Sequence, residues 1–550
     1  MPTQPRTPAS QYFEGAGNAH GVVGAEQHLN QVTAAELMRS PPKAVRPSWM
    51  VTRFPMSMEE FAQAKEQAAQ PATTRVPAAA AAHADSGADA AALGEASAEL
   101  DRPEDGHAHV SPVPLAPTVG ASFDGLGATA WQPPDCACAV GPDHVLLAVN
   151  TDLAGYSKTG HQIFRWANMT TLFGKVIPSG AAIFDPRVAY DHYQNRWIVV
   201  AAARRNSPAG SWLLIGVSQS PDPGGGYWIW ALDDSLNGSA PTNNWGDYPM
   251  LGFDTQAIYV TFNMFQIGGG YQYAKLRILN KAELYSGGTG PTHLIKWYDF
   301  WNLKDGGGNV AFTVQPCSHF RGTGGNPPAY LVNAKYGAGS TITLWQLDNP
   351  LGFWHASAPA LNRRDITCRA YDLPPNAEQS GTANPIATND DRLLSAMFQF
   401  VASTQRVWTC HTVKYTWPGE TAARSILQWY EIDVVNKSIV QQNGFGAPGT
   451  YYYFPAIQTD INRNAYLIFG RSAKSEFAAL RATGRKPGDP AGAMQGSVVV
   501  KSGASSYPGN RWGDYFTACR DGKDAGVVWG YGEYADGGGH WGTWAVSLKL

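Results

Sequence analysis

The sequence predicts an all-β protein, a seven-bladed β-propeller closed by an N-terminal strand and preceded by a disordered Ala/Pro-rich segment. Three observations predict it. The first is composition: Gly 59, Trp 19, Tyr 24 and Phe 21 in 550 residues, with 15% charged, mark a chain of aromatic strands and tight turns. The second is a unit of apolar strand, tight turn and second apolar strand that recurs seven times over about 415 residues. Four-stranded units with variable loops at such spacing are the signature of a propeller. The third is that the last unit supplies only three strands, so the ring needs one from elsewhere.

Composition also excludes classes. Lys+Arg 41 against Asp+Glu 44 leaves a net charge of −3, without the basic footprint of a nucleic-acid binder. The longest apolar run, Trp197–Ala203, is far short of the ~20 residues of a membrane helix.

Residues 1–112 read as a low-complexity leader. A short helix is expected over 56–69, with Ser57 as its cap and Glu60 three residues on. The Ala- and Asp-rich stretch that follows, to about Glu104, has too few aromatic and branched residues to bury a core. No apolar stretch follows Met1-Pro2-Thr3 that could serve as the centre of an export signal.

Residues 113–550 form the propeller. Its units are read at 138–150, 186–201, 248–263, 316–333, 385–399, 454–470 and 514–533. Amphipathic third strands follow some of them, such as Leu213–Ser218 and Leu427–Ile432. The last unit carries Asp514–Cys519, Val527–Glu533 and Trp541–Leu548, and Val119–Asp124 is expected to pair with it.

Alignment of the units places Asp135, Asp185, Asp247, Gln315, Asn384, Tyr453 and Asp514 just before each first strand. The second strand returns to the same face, with Asn150, Arg204, Asn263, Asn333, Gln399, Arg471 and Glu533 at its end. Both sets meet at one mouth of the central channel. Several acids at a shielded site push one another's pKa values apart, so one serves as general acid and another as base or nucleophile. The catalytic candidates are therefore Asp135, Asp185, Asp247, Asp514 and Glu533. Asn150, Arg204, Asn263, Asn333 and Arg471 are candidates for substrate binding. The repeated Trp245-Gly246-Asp247-Tyr248 and Trp512-Gly513-Asp514-Tyr515 add Trp245 and Trp512 as platforms for sugar rings. The same features fit structural roles: an Asp caps a tight approach, a Trp packs between blades. No cofactor is required, although rim oxygens of this kind also suit Ca²⁺.

Six cysteines stand at 136, 138, 317, 368, 410 and 519. The Cys136-Ala137-Cys138 thiols would share one strand face. With no second pair, they read as buried strand residues rather than metal ligands. Asp460-Ile461-Asn462-Arg463-Asn464 has calcium-loop spacing but reads as a hairpin turn, since Ala465 stands where such a loop requires Gly.

Ser220-Pro221-Asp222-Pro223-Gly224-Gly225-Gly226-Tyr227 resembles the Asp-box of sialidase-like propellers, a hairpin turn far from their catalytic centre; the Arg-Ile-Pro signature of sialidases is absent. Ala139–His144, Phe184–Val188, Asp247-Tyr248-Pro249, Arg511–Tyr515 and Glu533-Tyr534 carry a wider likeness. Through them, residues 119–550 resemble a large group of mostly uncharacterised bacterial propeller proteins. The resemblance implies the fold and an extracellular or cell-surface location, and brings no catalytic residues. The missing export signal leaves a cytoplasmic location open. The resulting expectation is a monomeric carbohydrate-active propeller, a glycoside hydrolase working at the acidic channel mouth on a glycan or other small polar ligand. The alternative is a non-catalytic glycan- or protein-binding scaffold.

Overall fold

The computed structural model describes residues 11–14, 30–32, 116–129, 131–289, 293–321, 327–509 and 511–550. The helix expected over 56–69 and the linker after it lie outside the described residues. Seven sheets follow one another along the chain, at 137–166, 182–233, 244–301, 315–371, 395–445, 450–501 and 517–549. We number them blades 1 to 7. Only two short α-helices, Thr170–Phe173 and Lys281–Tyr285, interrupt the strands among the described residues.

The inner strands are Ala137–Val140, Ala182–Asp191, Asn244–Phe253, Gln315–Pro316 with Ser318–Arg321, Ser395–Val401, Thr450–Thr459 and Thr517–Arg520. Each is followed by an antiparallel second strand. A sheet packed on both faces selects a continuous apolar run rather than alternation. Trp197–Ala203, in the second strand of blade 2, is such a run, and every one of its side chains is fully buried. Wedges between blades are filled from both sides. Ala139 and Leu146 of blade 1, for example, join Trp197 and Val199 of blade 2 in one cluster.

The ring closes as the incomplete last unit requires. Thr118–Asp124 pairs antiparallel with Trp541–Lys549, from Thr118 opposite Lys549 to Asp124 opposite Trp544, and becomes the outer strand of blade 7. Phe123 on this strand reaches Trp529 of blade 7 and Tyr156 of blade 1, with ring centroids 6.1 and 5.4 Å away. Tyr534 Oη donates to Asp124 at 3.0 Å. Two stretches of the leader also pair: Gln11–Glu14 extends blade 3 and Asn30–Val32 extends blade 2, each as an antiparallel outer strand.

Unit five departs from the sequence reading. The inner strand of blade 5 is Ser395–Val401, and residues 385–393 form a buried approach to it rather than a strand. The polar run Asn389-Asp390-Asp391 in that approach carries the spacing of a strand without its ladder. Gln399 therefore sits on the inner strand, where its amide donates to the Asp460 carbonyl at 2.7 Å. Asn384 lies away from the channel start and donates its N–H to Thr382. Blade 5 has a further feature: Ser318–Arg321 of blade 4 runs parallel to Ser395–Val401, joining the two blades by main-chain bonds.

A chain beginning at residue 126 would lack the closing strand. It should lose its cooperative thermal transition or associate through the bare edge of Trp541–Lys549. Calorimetry and size-exclusion chromatography check this, and a cooperative monomer would show the strand to be dispensable.

Candidate functional site: an acidic plug on the channel axis

Each inner strand starts at the axis, and the chain must turn sharply to get there. Six of the seven approaches use a left-handed residue with φ between 50 and 62°: Asp135, Thr313 and Asn389 ahead of the inner strand, and Asp185, Tyr248 and Phe454 at a register break within it. Such a backbone is costly for residues other than glycine. It also breaks the ladder, leaving N–H groups that no strand can accept.

Side chains from neighbouring blades accept them. Asn150, after the second strand of blade 1, accepts from Asp185 N–H at 2.8 Å and donates to Asp135 Oδ2 at 2.5 Å. Asn263 does the same one joint further on, accepting from Thr313 N–H and donating to Thr313 Oγ1, both at 2.8 Å. Thr412 accepts from Phe454 N–H, Ser211 from Gly246 N–H, and Asp135 Oδ1 from Asp514 N–H at 3.0 Å. Asn150 and Asn263, expected to bind substrate, are thus clamps whose amides are occupied by the protein itself.

The predicted acids converge in part. Asp135, Asp185 and Asp514 each bring a carboxylate oxygen within 4.8 Å of the others. Arg511 forms an ion pair with Asp514, and Asn389 Nδ2 donates to the same oxygen at 2.7 Å. Glu533 completes the group, its carboxyl packed against Gly513. Burial, then repulsion from Asp514 and Asp185, then a hydrogen bond shared with Asp185 push Asp135 well above the usual carboxylate range. Glu533 is raised for the same reasons, burial first and then Asp135 and Asp514. Asp247 is not among the three: it stands one residue before the left-handed position, opposite Asn263 in the ladder.

The cluster is sealed. Asp135, Asp185, Asp514 and Glu533 are 1, 4, 5 and 0% exposed. Beside them lies a layer of cations on aromatic rings. Arg187 sits 3.2 Å from the Tyr515 ring centroid, and Arg392 sits 4.5 Å from that of Tyr248. Tyr515 Oη donates to the Pro186 carbonyl at 2.6 Å, across to blade 2. The expected open mouth is a plug, because residues that must satisfy the strand starts also fill the axis.

The remaining candidates have structural partners. Trp245 and Trp512 are buried, Trp245 under the Arg204 guanidinium at 3.9 Å and Trp512 edge-on to Tyr507. Neither ring offers a face to solvent. Asn333 Oδ1 accepts from Trp345 Nε1 at 2.8 Å, and Arg471 pairs with Glu476 across a hairpin. The two Trp-Gly-Asp-Tyr copies share a reason for their glycine. A Cβ on Gly246 would fall 2.5 Å from Asp234 Oδ2, and one on Gly513 would fall 2.3 Å from Glu533 Oε1. Each Gly is the seat of a buried carboxyl. Asp460–Asn464 is the expected hairpin turn, closed by Asn464 N–H on Asp460 Oδ1 at 2.9 Å. The Asp-box-like segment is likewise a hairpin, with Gly224 N–H on Asp222 Oδ1.

The opposite end of the channel is open. A cavity of ≈ 290 Å³ is lined by residues from all seven inner strands. Its rim includes the first hairpin turns, at His192, Gly522 and Lys523. Arg187, Gln315, Arg520 and Lys523 face it, together with the rings of Tyr190, Phe253, Phe320 and Phe516. Gln315 is buried and its Oε1 accepts no hydrogen bond. Arg520 lies over Phe320 and donates twice to the Thr459 carbonyl. Asp521 is the single acid on this lining, and Lys158 and the Trp529 indole already hold it. The alignment of strand starts contains only Gln315 of these groups; Arg187, Phe320 and Arg520 lie farther along their strands, where the alignment does not look.

No family model matches the chain, and no curated protein does. Among solved structures it is similar to a protein of unknown function from Dyadobacter fermentans, at 9% identity and a TM-score of 0.36, covering 68% of this chain and 96% of that one. It is also similar to the GH93 alpha-L-arabinofuranosidase of Fusarium graminearum, at 9% and 0.37, covering 78% and 99%. A third is a GH43_1 enzyme from Xanthomonas citri, at 13% and 0.26, covering 63% and 87%. At these values the likeness carries no argument about the site or its chemistry.

Two outcomes follow for the plug. Asn150→Ala removes both clamp bonds and strands a buried N–H, so unfolding free energy should fall by about 2–4 kcal/mol; chemical denaturation measures it. Burial and the neighbouring Asp390 push Asp391 up to about 8. Between pH ~4 and about 8 only the folded state keeps that proton, so this group's contribution falls as pH rises. Asp391→Asn should therefore flatten the decline in melting temperature between pH 5 and 8.5.

Proposed function

We propose that the protein is a binding propeller that takes a small, hydroxylated and negatively charged ligand, such as a sugar acid, in its channel cavity. The observation that carries this is the cavity itself. Its ≈ 290 Å³ lies at the low end of small-molecule sites, ~300–1,000 Å³. It combines aromatic walls for the apolar faces of a sugar ring with a polar wall residue, Gln315, whose buried Oε1 has no hydrogen-bond partner. Three cations, Arg187, Arg520 and Lys523, face a lining with one acid that is already paired, which favours an anion.

A glycoside hydrolase would need two carboxyls with a sugar between them, at ~5–10 Å. The raised carboxyls of Asp135 and Glu533 have the proton affinity of general acids. Both are buried, and Asp135 is further held by the Asn150 amide and the Asp514 N–H, which leaves no room for a substrate.

A panel of glucuronate, galacturonate and their neutral parent sugars, read by thermal shift and calorimetry, tests the reading. A uronate should bind better than its parent. Gln315→Ala and Phe320→Ala should each weaken it at least tenfold. If binding is instead lost in Asp135→Asn, with products of glycoside cleavage from the wild type, the plug is the active site. No binding by any sugar would remove the carbohydrate reading.

A further inference from the structure

We propose that Cys138 and Cys519 are a redox pair that can fasten the first blade to the last by a reversible disulfide inside the channel. The two sulfurs lie 3.8 Å apart, although their residues are 381 positions apart in the chain. Both are on inner strands, and both line the cavity. The strands are already held side by side: Cys136 N–H donates to the Tyr515 carbonyl at 3.2 Å, and Thr517 Oγ1 donates to the Cys136 carbonyl at 2.8 Å. The sulfurs must close to ≈ 2.05 Å, which side-chain rotation with a small approach of two neighbouring strands supplies. Cys519 is half-buried and so is the thiol a small oxidant meets first. The other four cysteines are buried, and Cys410 donates its thiol to the Pro455 carbonyl.

The chemistry is thiol–disulfide exchange with a small aliphatic disulfide entering by the cavity. The Cys519 thiolate attacks one sulfur of the oxidant, forming a mixed disulfide and expelling one thiolate, which takes up a proton. The Cys138 thiolate then attacks Cys519 Sγ and expels the second. The protein loses two protons and two electrons, and the oxidant's S–S bond becomes two thiols. Burial, with Cys519 and Cys136 adding to it, raises the Cys138 thiol, so the second step is slow and quickens as pH rises.

The new bond would act where the hydrogen-bonded closure does not. Thr118–Asp124 joins the ring at its outer edge; Cys138–Cys519 would join it at the axis. Loss of chain freedom across so long a loop should raise the melting temperature by several degrees.

The full chain is incubated with hydroxyethyl disulfide at pH 8.5, freed of reagent and alkylated under denaturing conditions. Free thiols should fall from six to four, with no adduct retained. A non-reducing digest should link the peptide carrying Cys138 to the one carrying Cys519. Dithiothreitol should restore six thiols and the original melting temperature. Cys136→Ser should keep the crosslink, and Cys519→Ser should abolish it while leaving the melting temperature of the reduced protein unchanged. Six free thiols after treatment, a stable mixed adduct at Cys519, or a crosslink through any other pair would each overturn the proposal. The wild-type thiol count decides the matter even where a variant does not fold.

Discussion

Seven sheets meet at one axis, and where the chain turns onto it backbone N–H groups are held by side chains rather than by a ladder, as at Asp185, Thr313, Phe454 and Asp514. The rest of the molecule answers to this constraint. Left-handed residues open the strands, and side chains of neighbouring blades accept the orphaned N–H groups. An acceptor in that position must be short, polar and buried, which is why Asn, Thr, Ser and Asp recur there. Burying them brings carboxyls together, and burial first, then the neighbouring carboxylates, raises the pKa of Asp135 and Glu533. The acidic cluster is thus explained by the geometry of convergence before any chemistry is invoked. Arg511, Arg187 and Arg392 offset the charge, and aromatic rings accept their faces.

The same constraint divides the channel into a closed half and an open half. The strand starts are crowded, while the middle of the strands carries side chains of ordinary size around a cavity. The proposed binding site therefore lies away from the end where polar residues recur. Arg187 belongs to blade 2 and Gln315 and Phe320 to blade 4, and the repeat places Asp, Asn or Tyr where blade 4 has Gln315. A binding site made by breaking the pattern can be specific, because each blade contributes a different group.

Much of the fold was legible in the sequence. The blade count, the missing strand and its replacement by Val119–Asp124 all follow from runs of apolar residues and from the need to leave no bare edge. Blade 5 misled because Asn389, Asp390 and Asp391 are buried polar residues with strand-like spacing, held by side-chain bonds such as Arg392 on Asp390. The convergence of Asp135, Asp185, Asp514, Glu533 and Asn150 was also legible, since strand direction alone dictates it. Their role was not. Whether an Asp faces solvent or a backbone N–H depends on how far the neighbouring blades lean inward, and no local pattern records that. Trp245 and Trp512 illustrate the same limit: the motif reports an aromatic beside an acid but not the Arg204 or Tyr507 that covers it.

The closing ladder has a mechanical meaning. Thr118 lies opposite Lys549, so the chain leaves the ladder on both sides from the same end. Tension applied through the segment before Thr118 and the segment after Lys549 would load the hydrogen bonds one at a time, as in a zipper, rather than all at once in shear. The closing ladder would yield to a modest pull, beginning at its outermost rung. A partner or surface that held both ends together would remove that weakness without adding a single contact to the blades.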